Sequence, residues 1–309
     1  MYMINAILMK LSPELRGGLL IILAMTIIGP NDLIIPLIKS ESGLWQFHFS
    51  RSIIAIPVIL IYLIFIREKV KIKNLKAVLV RTAFFMISML IYFGCLAFLP
   101  IAVIGAGMFT SPIFVLLFSA YFFKQKIGIK RIIAVIIGSI GVWIILDPTG
   151  VNFSLFNLLP VIGGAFLAMG NIFTWRWCSD ESPLILVATF FLAIGLCGFI
   201  GASFFSIYPV VNPLNSNFIF QGWNSVSFYF WTLVSIQAFA SIIAVSLLTK
   251  AYQMADTTYL NVFEYFFLIS AGVAAWIFFN QKLSSYTISG IVLIVIAGLI
   301  VSLASQTKK

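Results

Sequence analysis

Phe122-Phe123-Lys124-Gln125-Lys126 returns 156 residues later as Phe278-Phe279-Asn280-Gln281-Lys282. Each copy closes an apolar run, and each is followed by one more apolar run with a glycine near its end, at Gly141 and Gly298. Working outward from this pair, charges and Pro/Gly punctuation mark off ten apolar segments, near 17–38, 45–66, 77–98, 101–123, 130–146, 155–178, 183–208, 228–250, 257–279 and 285–305. A segment of about 20 apolar residues is long enough to cross a ~30 Å hydrocarbon layer as a helix. The repeat divides the segments into two sets of five, residues 17–146 and 155–305. Five is odd, so the second set enters the membrane upside down relative to the first. The expected fold is therefore an all-α integral membrane protein, ten transmembrane helices arranged as two inverted five-helix repeats. Two such halves supply two near-equivalent states, one open to each side, which is the architecture of secondary transporters.

Composition excludes the alternatives. The 309 residues are 62% hydrophobic and only 9% charged, where soluble domains carry about a quarter charged residues. A transmembrane barrel would show ~10-residue segments of alternating polarity instead of continuous apolar runs. Cys95, Cys178 and Cys197 are odd in number and lack C-x-x-C spacing, which indicates neither a disulfide framework nor a thiolate metal site. His48 is the only histidine, so metal sites and Ser-His-Asp triads are not expected. No ATP-binding motif occurs: Gly105-Ala106-Gly107 is followed by neither a strand nor a Lys-Ser/Thr pair. We expect no cofactor, no metal and no enzymatic activity. The first segment runs to full membrane length without a small-x-small site after it, and is expected to remain in the mature protein.

Sixteen of the nineteen Lys and Arg residues, Arg81 among them, fall on the face shared by both termini, against Lys39 and Lys282 on the other, with Arg51 inside a span. Positive segments are held back from translocation, so both termini are expected in the cytoplasm of a multi-pass protein. The net charge of +10 is then topological. The basic loop from Arg67 to Arg81 reads as a solvated face against anionic headgroups, with no call for nucleic acid.

Several short motifs now carry a resemblance. Leu96-Ala97-Phe98-Leu99-Pro100-Ile101-Ala102, Thr110-Ser111-Pro112, Gly128-Ile129-Lys130-Arg131 and Ile137-Gly138-Ser139-Ile140-Gly141-Val142, with Ala251-Tyr252-Gln253-Met254-Ala255, Phe263-Glu264-Tyr265 and Ile296-Ala297-Gly298-Leu299-Ile300 in the second half, resemble the drug/metabolite transporter superfamily, EamA type. The resemblance implies a carrier of small metabolites in a bacterial inner membrane, with a cavity between the halves and alternating access. The chain departs from the family pattern where the usual Gly-Glu is Lys124-Gln125 and Asn280-Gln281, and where the usual Pro after the eighth span is Asp256. The entry Trp45-Gln46-Phe47-x-Phe49-x-Arg51 is similar to the branch of S-adenosylmethionine and related metabolite carriers.

Ionised side chains at membrane depth cost roughly 2.5–3.5 kcal/mol each on insertion scales, so each must face a partner or a wet cavity. Asp32, His48 and Arg51 fall at comparable depth in the first two spans. Two readings are open: an Asp32–Arg51 ion pair locking the helices, or Arg51 or His48 gripping a solute carboxylate and Asp32 an amine. Pro30 beside Asn31 and Asp32 reads either as a broken-helix feature that meets solute or as a simple kink. Thr257, Asn261 and Glu264 recur at i, i+4 and i+7, one polar stripe with no base in the same helix. Glu264 suits proton coupling or recognition of a cation; the other reading is a protonated side chain bonded to a neighbouring helix. Tyr92, Asn171 and Gln237 add polar positions in spans three, six and eight, and Tyr265 an aromatic wall beside Glu264, able to contact a solute or to serve as interhelical glue.

The expected function is secondary active or facilitative transport of a small polar or zwitterionic metabolite: amino-acid-like, S-adenosylmethionine-like, or an organic cation. The alternative is a lipid flippase or membrane enzyme using the same cavity. Expected partners are the solute and the bilayer; whether the chain forms a homodimer is open.

Overall fold

The computed structural model describes residues 11–67, 71–99, 101–146, 155–210, 217–279 and 285–306. Pro100, the loop positions Asn212, Pro213 and Asn215, and the Asn280-Gln281-Lys282 part of the repeated motif lie outside the described residues. Among the described residues the chain is helical and has no strand.

Helix α1 spans Pro13–Asp32, capped by Ser12, whose hydroxyl accepts the Leu15 N–H (3.3 Å). Pro30 lies in its last turn, and the rod resumes as Ile35–Ile38. Helices α2 (Leu44–Phe65), α3 (Leu75–Cys95), α4 (Ile101–Met108), α5 (Ser111–Tyr121) and α6 (Ile129–Leu146) complete the first half. The second half contains α7 (Leu159–Trp177), α8 (Pro183–Ile207), α9 (Phe228–Met254), α10 (Phe266–Phe279) and α11 (Ser285–Gln306). Among the described residues seven helical stretches are long and apolar enough to cross a membrane, and Ser111–Tyr121 and Ile288–Ile300 are shorter apolar helices. The chain is a multi-pass membrane protein.

Two expected spans are interrupted. The segment 101–123 breaks at Phe109-Thr110, because Pro112 has no N–H to offer the carbonyl of the preceding turn. The Thr110 hydroxyl donates to the Gly107 carbonyl there (2.6 Å). The segment 257–279 begins as Thr257–Leu260, tightens into a 3₁₀ turn at Asn261–Tyr265 and returns to α-helix at Phe266. The helices restart at Ser111 and Phe266, within one residue of the 156-residue repeat.

Polarity is distributed inside out. Ile61, Ile64, Leu117, Leu196, Ile200, Phe239 and Ile243 are exposed, as a lipid-facing belt requires, whereas His48, Arg81, Asn171, Gln237 and Glu264 are buried. Helices meet through small residues. On the α6–α11 seam a Cβ added at Gly141 would lie 2.8 Å from the Gly290 carbonyl oxygen, and one at Gly290 2.5 Å from that of Gly141. On the α2–α8 seam a Cβ at Gly198 would lie 2.5 Å from the Trp45 carbonyl oxygen. Helix α1 packs on α9 and α10, and α7 packs on α3, α4 and α5.

Candidate functional site

These packings leave a central cavity of about 380 Å³ whose lining draws on α1, α2, α3, α4, α7, α8, α9 and α10. A groove of about 730 Å³ between α5 and α6 is larger, but apart from Gln125, Ser139 and Trp143 its lining is aliphatic. The central cavity holds the charges and is the candidate site.

The broken rod positions its acidic wall. Glu264 lies in the 3₁₀ turn, and its Oε1 accepts from the Tyr252 hydroxyl (2.6 Å) and Asn171 Nδ2 (3.1 Å). Asn261 sits behind it, accepting on Oδ1 from Asn171 Nδ2 (3.0 Å) and donating to Ser111 Oγ (3.3 Å). The Tyr252 hydroxyl oxygen also lies 2.9 Å from Asn261 Oδ1, but it has a single proton and the shorter bond to Glu264 takes it. On the same cavity Arg81 donates from Nε to Thr174 Oγ1 (3.1 Å), from Nη1 to the Leu186 carbonyl (3.0 Å) and from Nη2 to Thr249 Oγ1 (3.1 Å), with Phe85 beneath the guanidinium at 4.2 Å.

A second charged group surrounds Asp32, whose Oδ2 accepts from the Tyr92 hydroxyl (3.1 Å). Arg51 Nη2 meets His48 Nδ1 at 3.2 Å; a guanidinium only donates, so the imidazole carries its proton on Nε2. Asn31 Nδ2 donates to Ser241 Oγ (3.3 Å), while Asn31 Oδ1, Gln237 Oε1 and Arg51 Nε are buried without a hydrogen-bond partner among the described residues.

Asp32, Arg51, Tyr92, Asn171, Gln237 and Glu264 therefore line the cavity. His48, Asn261 and Tyr265 do not. His48 is fully buried behind Arg51, and Asn261 behind Glu264. Tyr265 is a packing residue: its hydroxyl meets Ser139 (3.0 Å) and its ring fills the space beside Gly138. The expected Asp32–Arg51 pair is not formed, for no nitrogen–oxygen approach within 4.0 Å joins them; the ion pair found among the described residues is Arg131–Asp256. Glu264, read either as an unpartnered carboxylate or as a side chain bonded to a neighbouring helix, has two neutral partners on other helices. Arg81, counted with the loop charges, is 2% exposed and lines the cavity. Its position inside the apolar segment 77–98 was the signal that it belongs to a span.

The lining also obeys the repeat. Arg81, Phe85, Met89, Tyr92 and Phe93 face the cavity from α3, and Gln237, Ser241, Val245, Leu248 and Thr249, each 156 residues later, face it from α9.

Beyond the cavity the halves are tied at both ends. At the basic end Asp256 Oδ2 accepts from Arg131 Nη1 and Gln125 Nε2 (both 2.6 Å), Arg131 also bonds Thr258, and Arg176 donates to Gln125 Oε1 (2.8 Å). Gln125 and Asp256 are two of the departures from the family pattern, and they meet. The Glu181 carboxylate accepts the Lys73 and Asn74 main-chain N–H groups (2.7–3.1 Å). At the opposite end Trp45 donates to the Ile219 carbonyl (2.6 Å), Gln46 pairs with the Asn224 backbone (2.9 and 3.0 Å), and the Ser227 N–H donates to Glu41 (2.8 Å).

Residues 15–147 match the EamA-like transporter family. The match covers 133 of the 309 residues, so the first part of the chain is similar to this family of transporters. It is 27% identical to a riboflavin transporter of Vibrio cholerae over 231 residues, covering 74% of this chain and 72% of the relative. It is 25% identical to an S-adenosylmethionine uptake transporter of Rickettsia bellii, covering 69% of each. It is also 26% identical to a pseudopaline exporter of Pseudomonas aeruginosa, covering 84% of this chain and 86% of that one. A protein of known crystal structure shares the fold with a TM-score of 0.70 at 16% identity, over 94% of this chain and 98% of its own. The relatives' names are those of small-molecule transporters rather than enzymes.

Proposed function

We propose that this protein is an EamA-type secondary carrier, built as ten transmembrane helices in two inverted five-helix repeats, that moves a small polar or zwitterionic metabolite by alternating access. It resides in a bacterial inner membrane with both termini in the cytoplasm. The observation that carries the reading is the cavity wall: α3 and α9 supply five liners each at the spacing of the sequence repeat, so both halves build one site. The packing supports it too, since α1 against α9 and α10 has its counterpart in α7 against α3, α4 and α5. The bonds at the two ends are the candidate closures, and in an alternating cycle one set opens while the other holds. Glu264 is the candidate for proton coupling, being a cavity carboxylate with only neutral partners.

Riboflavin, S-adenosylmethionine and organic cations are the first solutes to test, by uptake and counterflow in proteoliposomes with and without an imposed pH gradient. Saturable counterflow is expected, and its absence for every solute would sink the carrier reading. In Glu264→Gln, gradient-driven uptake should fall at least about tenfold, since a lost proton-transfer group typically costs about 10²–10⁴-fold, while counterflow at saturating solute persists. Indifference of both rates to the gradient and to this substitution would remove the proton role.

A further inference from the structure

Arg81 is buried, oriented and, among the described residues, without an acidic partner within 4.0 Å. Three of its nitrogens donate to neutral oxygens on α7, α8 and α9, and the Phe85 ring backs its plane. A guanidinium has donors to spare beyond these three, and Arg81 borders the cavity. Glu264 is its counterpart: Oε1 is engaged by Tyr252 and Asn171, Oε2 has no hydrogen bond among the described residues, and no base approaches within 4.0 Å. Both groups are held from the same two helices. Thr174 and Asn171 are three residues apart on α7, as are Thr249 and Tyr252 on α9, so on each helix the two anchors lie within about one turn, roughly 5 Å, of each other. Neutral bonds thus fix a cation and an anion near each other yet keep them from pairing. An uncompensated charge at membrane depth is costly, and a solute bearing both charges compensates the two at once.

We propose that Arg81 and Glu264 form a two-point clamp for a zwitterionic amino acid-type solute, Arg81 taking its carboxylate and Glu264 its ammonium group. Phe109 and Phe267, with centroids 5.6 Å apart on the same cavity, supply an apolar wall for its side chain. This deepens the carrier reading and rests on it for the site, but binding can be measured without flux. Its basis is the bonding pattern around Arg81, a residue whose equivalent 156 positions later is the uncharged Gln237, so the clamp is polarised.

The test uses the purified full-length protein and four probes: L-phenylalanine, its methyl ester, phenethylamine and hydrocinnamate. Affinities are read by calorimetry and by thermal shift. The zwitterion should bind at least about tenfold more tightly than any singly charged analogue, as expected for a charge-assisted bond at each end. Arg81→Gln should erase its advantage over phenethylamine and the ester while leaving phenethylamine affinity unchanged, and Arg81→Lys should leave part of that advantage. Glu264→Gln should erase the advantage over hydrocinnamate instead. Equal or undetectable binding of all four probes by the wild-type protein overturns the clamp, as does a zwitterion preference that survives Arg81→Gln. Because Arg81 ties α3 to three other helices, its variants are compared only if they elute and melt as folded protein; otherwise the wild-type comparison alone decides. Solute flux in proteoliposomes without the zwitterion preference removes the clamp and leaves the carrier, whereas the preference without flux does the reverse.

Discussion

Arg81 and Arg51 both bring a guanidinium to the cavity, one from α3 and one from α2, and their surroundings differ in kind. Three hydrogen bonds of 3.0–3.1 Å fix the direction of Arg81. Arg51 has one, to His48, and lies among the rings of Phe47, Phe93 and Phe191, whose centroids are 5.3, 5.5 and 5.3 Å from its guanidinium carbon. Ring faces attract a cation without prescribing its orientation to the degree that a hydrogen bond does. The comparison teaches that one arginine is part of the scaffold that joins helices, while the other rests in a soft cradle beside buried polar atoms with unused bonding capacity.

The largest effect is expected of Arg81→Leu, which removes three hydrogen bonds to α7, α8 and α9 at once. Unfolding in detergent should show a loss of about 3 kcal/mol; a change under ~1 kcal/mol would mean these bonds do not hold α3 in place. Arg51→Gln should cost less, about 1 kcal/mol, since a single hydrogen bond and ring contacts are lost. Were the two substitutions equal in the same unfolding assay, the distinction between scaffold and cradle would fail.

The bonds at the two ends extend the comparison to smaller effects. The Arg131–Asp256 pair is partly exposed, at 17% and 18%, so Asp256→Asn should lower stability by at most about 1 kcal/mol. Its larger signature is kinetic: if this contact closes the basic end, cysteine-accessibility labelling of Thr249→Cys from that side should become faster. The smallest effect belongs to Glu41, whose carboxyl is held below the usual range by the hydrogen bonds from Ser227. A depressed carboxyl stabilises the folded state above its unfolded pKa, and that contribution fades as pH falls through the lowered folded value. Thermal melting of Glu41→Gln should therefore show a flatter acid limb than the wild-type protein, with a slightly lower plateau near neutrality and convergence of the two curves in acid.

The rods of this protein could be read from the chain because apolar length is a local property: Pro183–Ile207 and Leu44–Phe65 end within a few residues of where charge and Pro/Gly punctuation put them. The interruptions were harder. Ser111-Pro112 carries a proline signal, but the 3₁₀ turn at Asn261–Tyr265 contains no proline or glycine and follows from the polar side chains it must turn toward Asn171 and Ser111. Cavity residues could be suspected by polarity at membrane depth. Whether a polar side chain faces the cavity or stands behind it depends on its partners on other helices, which is why Asn261, His48 and Tyr265 could not be told apart from Glu264 and Arg51. Arg81 was obscured by a neighbour, since Lys76 five residues earlier made it look like the last charge of a loop.

Glu181 holds the approach to α3 by its main chain, through the N–H groups of Lys73 and Asn74, and not by any side chain of that segment. Every amino acid except proline presents the same N–H. The loop's lysines can therefore drift in number and order under selection for membrane sidedness without loosening the joint, while the burden of keeping it falls on a single acidic position more than a hundred residues away.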